Sequence, residues 1–232
     1  MKKALVLVAV MAIAFMGCKK DKSINLTEES TSLYHQETYQ IPATCVNPIT
    51  YSSENEYHAT VSSEGLVTAQ FVGSTTILLQ SEGDSKSFTV NVMPKSKLYT
   101  EPNITFGETK DAVIARLGTP AVSEDNAIGY AYASPVDLLM VMFDDYNRVS
   151  GYALVLPDNY SSELKTFVEE RYDYVMYSEG IYIYRNALTN SATTMIIGVG
   201  ELDEDYCMVL YVPNDGGKSM DSYKALLKAL EI

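Results

Sequence analysis

The sequence predicts two folded domains: an all-β sandwich over residues 24–94, then an α+β domain over residues 98–232 with an antiparallel sheet and helices on one face. Three observations predict this. Up to Met93, β-branched or apolar runs alternate with turn-forming Ser, Gly and Asn clusters at strand-like intervals. Helix caps and helical apolar spacing begin only after the Pro-containing stretch Met93-Pro94-Lys95-Ser96-Lys97. The 18 Tyr against 6 Phe and no Trp favour strands, because an amphipathic ring suits a half-buried pleated face. A length of 232 residues accommodates two domains, each large enough to bury a core.

The composition is that of a globular protein, with 47% hydrophobic and 20% charged residues. A formal charge of −13 repels a phosphate backbone, which argues against nucleic acid as a partner.

The amino terminus has the layout of a secretory signal. Lys2 and Lys3 precede an uncharged apolar stretch from Ala4 to Met16, and small Gly17 stands before Cys18. The stretch is too short to span a bilayer. Phe15-Met16-Gly17-Cys18 resembles a bacterial lipobox, with Phe15 in place of the commoner Leu. That resemblance implies a signal peptide at 1–17, a lipid-bearing Cys18 and a membrane-tethered mature chain, with 18–23 as its tether. Cleavage removes two lysines and no acid, taking the charge from −13 to −15. The run Cys18-Lys19-Lys20-Asp21-Lys22-Ser23 is similar to the charged segments of Bacteroidetes lipoproteins, which implies the cell envelope, at the periplasmic face or cell surface of the outer membrane. Cys45 and Cys207 are expected to be buried apolar fillers in separate domains rather than a disulfide.

In the first domain the expected strands are Tyr39–Ile41, Ile49–Tyr51, Ala59–Val61, Leu66–Thr68, Thr75–Leu79 and Ser87–Val92. Their order and turns, through Ala59-Thr-Val-Ser-Ser-Glu-Gly65-Leu-Val-Thr-Ala, Gly73-Ser-Thr-Thr-Ile77 and Phe88-Thr-Val-Asn-Val92, resemble the bacterial Ig-like domain of group 2. Gly65 and Gly73 stand at that family's turn glycines, while Tyr51 replaces a frequent Trp. The resemblance implies a spacer or presentation role and brings no catalytic residue.

In the second domain Thr109 caps a helix with Val113, Ile114 and Leu117 on one face, ended by Gly118 and Pro120. A second helix starts at Ser161 or Ser162, and a third runs from Asp221 with Tyr223, Leu226, Leu227 and Leu230 in phase. Strands are expected at 128–133, 138–143, 149–156, 174–177, 180–184, 194–200 and 206–212. A helix followed by strands occurs twice, which suggests an internal duplication. Phe106-Gly107-Glu-Thr-Lys-Asp-Ala-Val113 with Leu117-Gly-Thr-Pro120 is similar to the small outer-membrane lipoproteins of β-barrel assembly, and the doubled unit resembles the β-lactamase inhibitor protein fold. Both resemblances imply protein binding.

Chemical motifs are sparse. His35 and His58 are the only histidines, and no Cys pair or zinc spacing accompanies them, so no metal or cofactor is expected. Nucleophile-elbow and phosphate-loop patterns do not occur in the sequence. Asp144 with Asp145, and Asp203-Glu204-Asp205, are the candidate carboxylate groups, each set in a hairpin connection. Tyr130 and Tyr132 alternate on one strand, as do Tyr182 and Tyr184 on another opposite Ile181 and Ile183. With helices over the Ile side, these four tyrosines would form an open binding face. The expected function is therefore a non-catalytic envelope lipoprotein whose Ig-like stalk presents the second domain to a protein or glycan. The alternative is an extracellular carboxylate-dependent hydrolase of envelope or dietary polymer.

Overall fold

The computed structural model describes residues 22–214 apart from Glu179. Cys18 and the helix expected from Asp221 lie outside the described residues.

The first unit holds β1 (Asn25–Leu26), β2 (Ser30–Tyr34), β3 (Thr38–Gln40), β4 (Ala43–Thr44), β5 (Thr50–Ser53), β6 (Ala59–Val61), β7 (Leu66–Ala69), β8 (Gly73–Ser81) and β9 (Asp84–Met93). Sheet β2-β9-β8-β5 faces sheet β3-β7-β6, and β1 pairs with β4. Alternation makes the core. Ile77 and Leu79 on β8, with Phe88, Val90 and Val92 on β9, meet Ala59, Val67 and Ala69 of the opposite sheet. Strand β2 runs parallel to β9 and was not legible in the sequence, because only Leu33 of Ser-Thr-Ser-Leu-Tyr is buried. Gly65 has φ +81°, and a Cβ there would stand 2.7 Å from the Tyr51 ring, so the turn requires glycine on both counts. Cys45 departs from expectation: it is half-buried, and its thiol donates to the Lys22 carbonyl at 3.2 Å. Cys207 is buried, and both thiols are free.

The second unit comprises α1 (Lys110–Leu117), β10 (Val122–Ser123), β11 (Ala127–Ala131), β12 (Leu138–Phe143), β13 (Val149–Pro157), α2 (Ser161–Glu169), β14 (Asp173–Ser178), β15 (Ile181–Arg185), β16 (Met195–Glu201) and β17 (Tyr206–Pro213). Its strands form one antiparallel sheet in the order β10-β11-β12-β13-β17-β16-β15-β14. Each half is a helix followed by a four-strand meander, and the last strands of the halves, β13 and β17, meet at the centre. Two short helices beside eight strands make the described unit mostly β, so the expected α+β label overstates its helix content. The first helix starts as its cap dictates: Thr109 Oγ1 accepts from the Ala112 N–H at 3.3 Å.

Both helices pack on the tyrosine side of the sheet. Val113 of α1 and Leu164, Phe167 and Val168 of α2 share one core with Tyr130, Leu154, Tyr184, Ile197, Val209 and Tyr211. Ile181 and Ile183 lie on the opposite face with Ala153, Val155, Met208, Leu210 and Val212. This reverses the expected arrangement. Strand parity tells which residues share a face, and both faces here are apolar enough to be buried.

Residues 94–97 are not a free polar tether. Ser96 is buried, and Glu170, just after α2 and 3% exposed, accepts from the Lys95 N–H at 2.7 Å and the Ser96 N–H at 3.0 Å. The Glu170 carbonyl also accepts from the Val72 N–H of the first unit at 2.8 Å. Next to it, Arg171 pairs with Glu170 at 2.6 Å, donates to the Ser96 carbonyl at 3.1 Å, and receives Tyr57 Oη on its own carbonyl at 2.7 Å. Burial is the main cause that pushes the Tyr57 phenol well above its ordinary range, so it stays a protonated donor in this contact. The Glu170-Arg171 side chains thus tie the 95–96 linker to the end of α2 through charge-assisted bonds, while the carbonyls of the same two residues accept from Val72 and Tyr57 of the first unit.

Candidate functional site

The two ends of the large sheet are treated differently. Strand β10 is two residues long, the usual way of blunting an edge, whereas β14 at the other end is six residues long. Within β14 four consecutive apolar residues, Tyr174, Val175, Met176 and Tyr177, are 42–55% exposed. They carry no charge. At the base of the strand Asp173 pairs with Arg185 at 2.6 Å, and Arg185 also reaches the Asn190 side chain and the Leu188 carbonyl.

A register shift between Tyr174 and Met176 gives this edge its aromatic character. Tyr174 pairs with Tyr184 and Tyr177 with Tyr182, so an extra residue at Val175 brings both outer rings to the same face. Without the bulge, residues three apart would point to opposite faces. The Tyr177 and Tyr182 rings stand 4.8 Å apart, Tyr174 meets Tyr184 edge-on at 5.6 Å, and the Lys165 ammonium of α2 lies 5.2 Å from the Tyr182 centroid. The result is an aromatic ledge, with the Lys165 ammonium over its Tyr182 ring, beside an unpaired strand edge.

The four tyrosines singled out from the sequence separate here. Tyr184 is 1% exposed and Tyr130 is buried, and both belong to the core beneath the helices. For these two the expectation of an open surface is corrected: the helices took the tyrosine face. Tyr132 is half-buried and its hydroxyl donates to the Thr100 carbonyl at 3.1 Å. Only Tyr182, at 37%, contributes to the exposed ledge. Much of the remaining Tyr excess is interior. Tyr172 and Tyr211 donate to Glu101 Oε1 at 2.5 and 3.1 Å, Tyr99 shares a 2.7 Å bond with Tyr211, and Tyr152 stacks on Tyr211 at 4.6 Å. Burial is the largest of the causes that push all four phenols well up, which keeps them protonated.

The carboxylate candidates do not converge. Asp144 Oδ1 accepts from the Tyr146 and Arg148 N–H groups, and Asp203 Oδ1 from those of Asp205 and Tyr206, so both close hairpin turns. The Asp144 turn precedes Val149 and the Asp205 carbonyl accepts from Asp158 at 2.7 Å, so the acidic groups sit at opposite ends of β13, about 25 Å apart at ~3.3 Å per residue. Asp145 shares the first of these turns and Glu204 the second. His58 Nδ1 lies 3.1 Å from the Phe71 carbonyl, and among the described residues no three His, Cys, Asp or Glu converge as a metal-binding set. A cleft of ≈ 530 Å³ between the units is lined by Ser53–Tyr57 and by Asn186–Leu188, Thr189 and Ala192. Within it the Asn186 amide is bonded to Thr194 and the Met195 N–H.

Sequence reasoning missed Tyr174, Val175, Met176 and Tyr177 as surface residues. The run of four apolar residues was the available signal, but such a run reads equally as a strand buried on both sides. Nothing local marked Glu170, whose partners lie 74 and 75 positions away.

Comparison with known families and structures adds one assignment. Residues 22–92 match the bacterial Ig-like domain (group 2). Among solved structures the chain is similar to the C-terminal domain of TagH, with 12% identity, coverage of 72% of this chain and 97% of that one, and a TM-score of 0.29. It is also similar to domains 4–9 of the surface layer protein SbsC, with 13% identity over 84% of this chain and 27% of that one, at a TM-score of 0.26. Domains 5-6 of the S-layer protein SbsC give 13% identity, 86% of each chain and a TM-score of 0.26. These likenesses are too slight to carry a functional argument. No curated protein matches the chain.

Proposed function

We propose that this chain is a non-catalytic, lipid-anchored envelope protein whose Ig-like unit presents the large sheet, and that the sheet captures an extended protein segment along β14. The observation that carries the reading is the six-residue edge strand with four consecutive exposed apolar side chains. An edge of this kind offers main-chain hydrogen bonds for an added strand, and the Tyr174, Tyr177 and Tyr182 rings supply contact area at little entropic cost. A glycan would use the rings and leave the backbone edge unpaired, so a peptide is the better fit.

The Ig-like match over 22–92 supports a spacer role, and the Glu170-Arg171 lock would hold the presented sheet in a fixed pose. The basic and apolar leader ending at Cys18 supports acylation and an envelope location. Among the described residues no geometry favours the hydrolase alternative, since its acidic groups are spent on turns at opposite ends of β13.

The test is the double variant Val175→Lys with Met176→Lys. Both positions are exposed, so folding stability should change by no more than about 0.5 kcal/mol per site, while edge charge blocks strand addition. Capture of the envelope partner should fall at least roughly tenfold. Undiminished capture by a folded double variant would refute the reading.

A further inference from the structure

Strand β9 is only half covered on one side. It has ten residues, and β2 pairs with the stretch from Thr89, opposite Ser30, to Met93, opposite Tyr34. Before Ser30 the chain turns away, and Asn25 and Leu26 pair with β4 instead. Residues 84–88 of β9 therefore border a notch of ≈ 680 Å³, with Ile24–Leu26 and Glu29 on one side and residues of β8 and β9 on the other. The notch is closed at both ends. At one, the Thr89 N–H donates to the Glu29 carbonyl at 2.8 Å; at the other, the Ile24 N–H donates to Asp84 Oδ2 at 2.7 Å. Asp84 and Thr89 are about 17 Å apart at ~3.4 Å per residue.

The lining is rich in unused hydrogen-bonding groups. Asn25 and Gln80 bring carboxamides, Ser87 and Thr89 hydroxyls, Glu29 a carboxylate and Lys86 an ammonium. Among the described residues none of these six side chains makes a hydrogen bond or ion pair within the protein. The backbone adds to them. Because the Thr89 N–H points away from β8 toward Glu29, the alternation of an antiparallel ladder turns the main-chain N–H and C=O of Ser87 the same way, into the notch. Half-buried Leu26 and Leu78 add a small apolar patch.

We infer that this notch binds a short, uncharged oligosaccharide. Carboxamides, hydroxyls and a carboxylate offer donors and acceptors in mixed order, which suits a ligand whose hydroxyls both give and accept, and the leucines can face the C–H side of a sugar ring. An extended peptide fits less well. A strand added along β9 would run into both closed ends, would find the Ser85 N–H already bonded to Asp84 Oδ1 at 2.9 Å, and would meet no deep apolar pocket for an anchor. Charge sorts the saccharides. The chain carries −13 and Glu29 lines the notch, so a uronate or sulfate group would be repelled. The site lies in the first unit and is independent of the reading of β14.

Amide NMR of the isotope-labelled full chain, titrated with maltotriose and separately with chitotriose, tests the proposal. Sugar at roughly ten times a Kd of ~1 mM should move the signals of Asn25, Ser87 and Thr89 with at least one of the two. Gln80→Ala with Ser87→Ala should weaken that binding roughly tenfold or more. Both side chains are exposed and unbonded, so the variant should fold, which unchanged signals from β13 and β17 would show. Ser32→Val, exposed on β2 outside the notch, should bind as the parent does. No shifts with either sugar, shifts confined to 174–182, or equal affinity in the folded double variant would overturn the proposal. Movement of the notch signals by oligothreonine and by neither sugar would replace it with a peptide site.

Discussion

Replacing Glu170 with Ala should weaken the junction between the units, because this one carboxylate ties the linker residues Lys95 and Ser96 to the end of α2. At 3% exposure it accepts from two backbone N–H groups and from the Arg171 guanidinium. Removing it leaves the N–H groups of Lys95 and Ser96 without their acceptor and Arg171 without its counter-charge. Breaking a buried pair in this way costs about 3–5 kcal/mol, much of it from the donors left behind. For a chain of this size each kcal/mol lowers Tm by about 2–4 °C, so calorimetry should show a fall of roughly 10 °C. Glu170→Gln keeps one acceptor oxygen and should lose about half as much. Glu169→Ala is the control: that side chain is 47% exposed and its pair with Lys165 is a surface i,i+4 contact, worth less than ~0.5 kcal/mol. A Glu170→Ala chain melting within about 2 °C of the parent would refute the argument that Glu170 bears the junction.

Two further outcomes follow from burial. Tyr184→Ala should cost about 3–5 kcal/mol in chemical unfolding, whereas Tyr182→Ala, losing a partly exposed ring and its Lys165 contact, should cost about 1 kcal/mol; equal losses would contradict the face assignment. Burial first, then the charge of Asp158, push the Cys207 thiol up to about 11, so at pH 8 it stays protonated and should resist alkylation in folded protein while half-buried Cys45 reacts; prompt labelling of Cys207 would contradict that packing.

Local patterns were legible in the sequence, and choices between equivalent partners were not. Thr109, the 138–143 strand and the turn glycines Gly65 and Gly73 follow from propensity and sterics acting within a few residues. The parity of Tyr182 and Tyr184 against Ile181 and Ile183 was equally local. The side chosen by the helices was not, because β13 and β17 are apolar on both faces and either could accept α2. Tyr-Ala-Leu-Val-Leu and Tyr-Cys-Met-Val-Leu-Tyr-Val are near-continuous apolar runs, the pattern of strands buried on both sides, and that was the readable warning against a single open face. The bulge at Val175 and the Glu170 contacts depend on pairing across the fold, which no window of sequence contains. The exposed aromatic ledge depends likewise on the strand order, which places β14 at an edge.

The central claim is that β14 is where a partner sits. Site-specific photo-crosslinking tests it most directly: a benzophenone side chain replaces Tyr177 in one chain and Tyr146 in another, both exposed and on different hairpins, in the cells that make the protein. The account predicts one discrete protein adduct from position 177 that disappears with Val175→Lys and Met176→Lys, and none from position 146. No adduct at 177, or the same adducts from both positions, would contradict it.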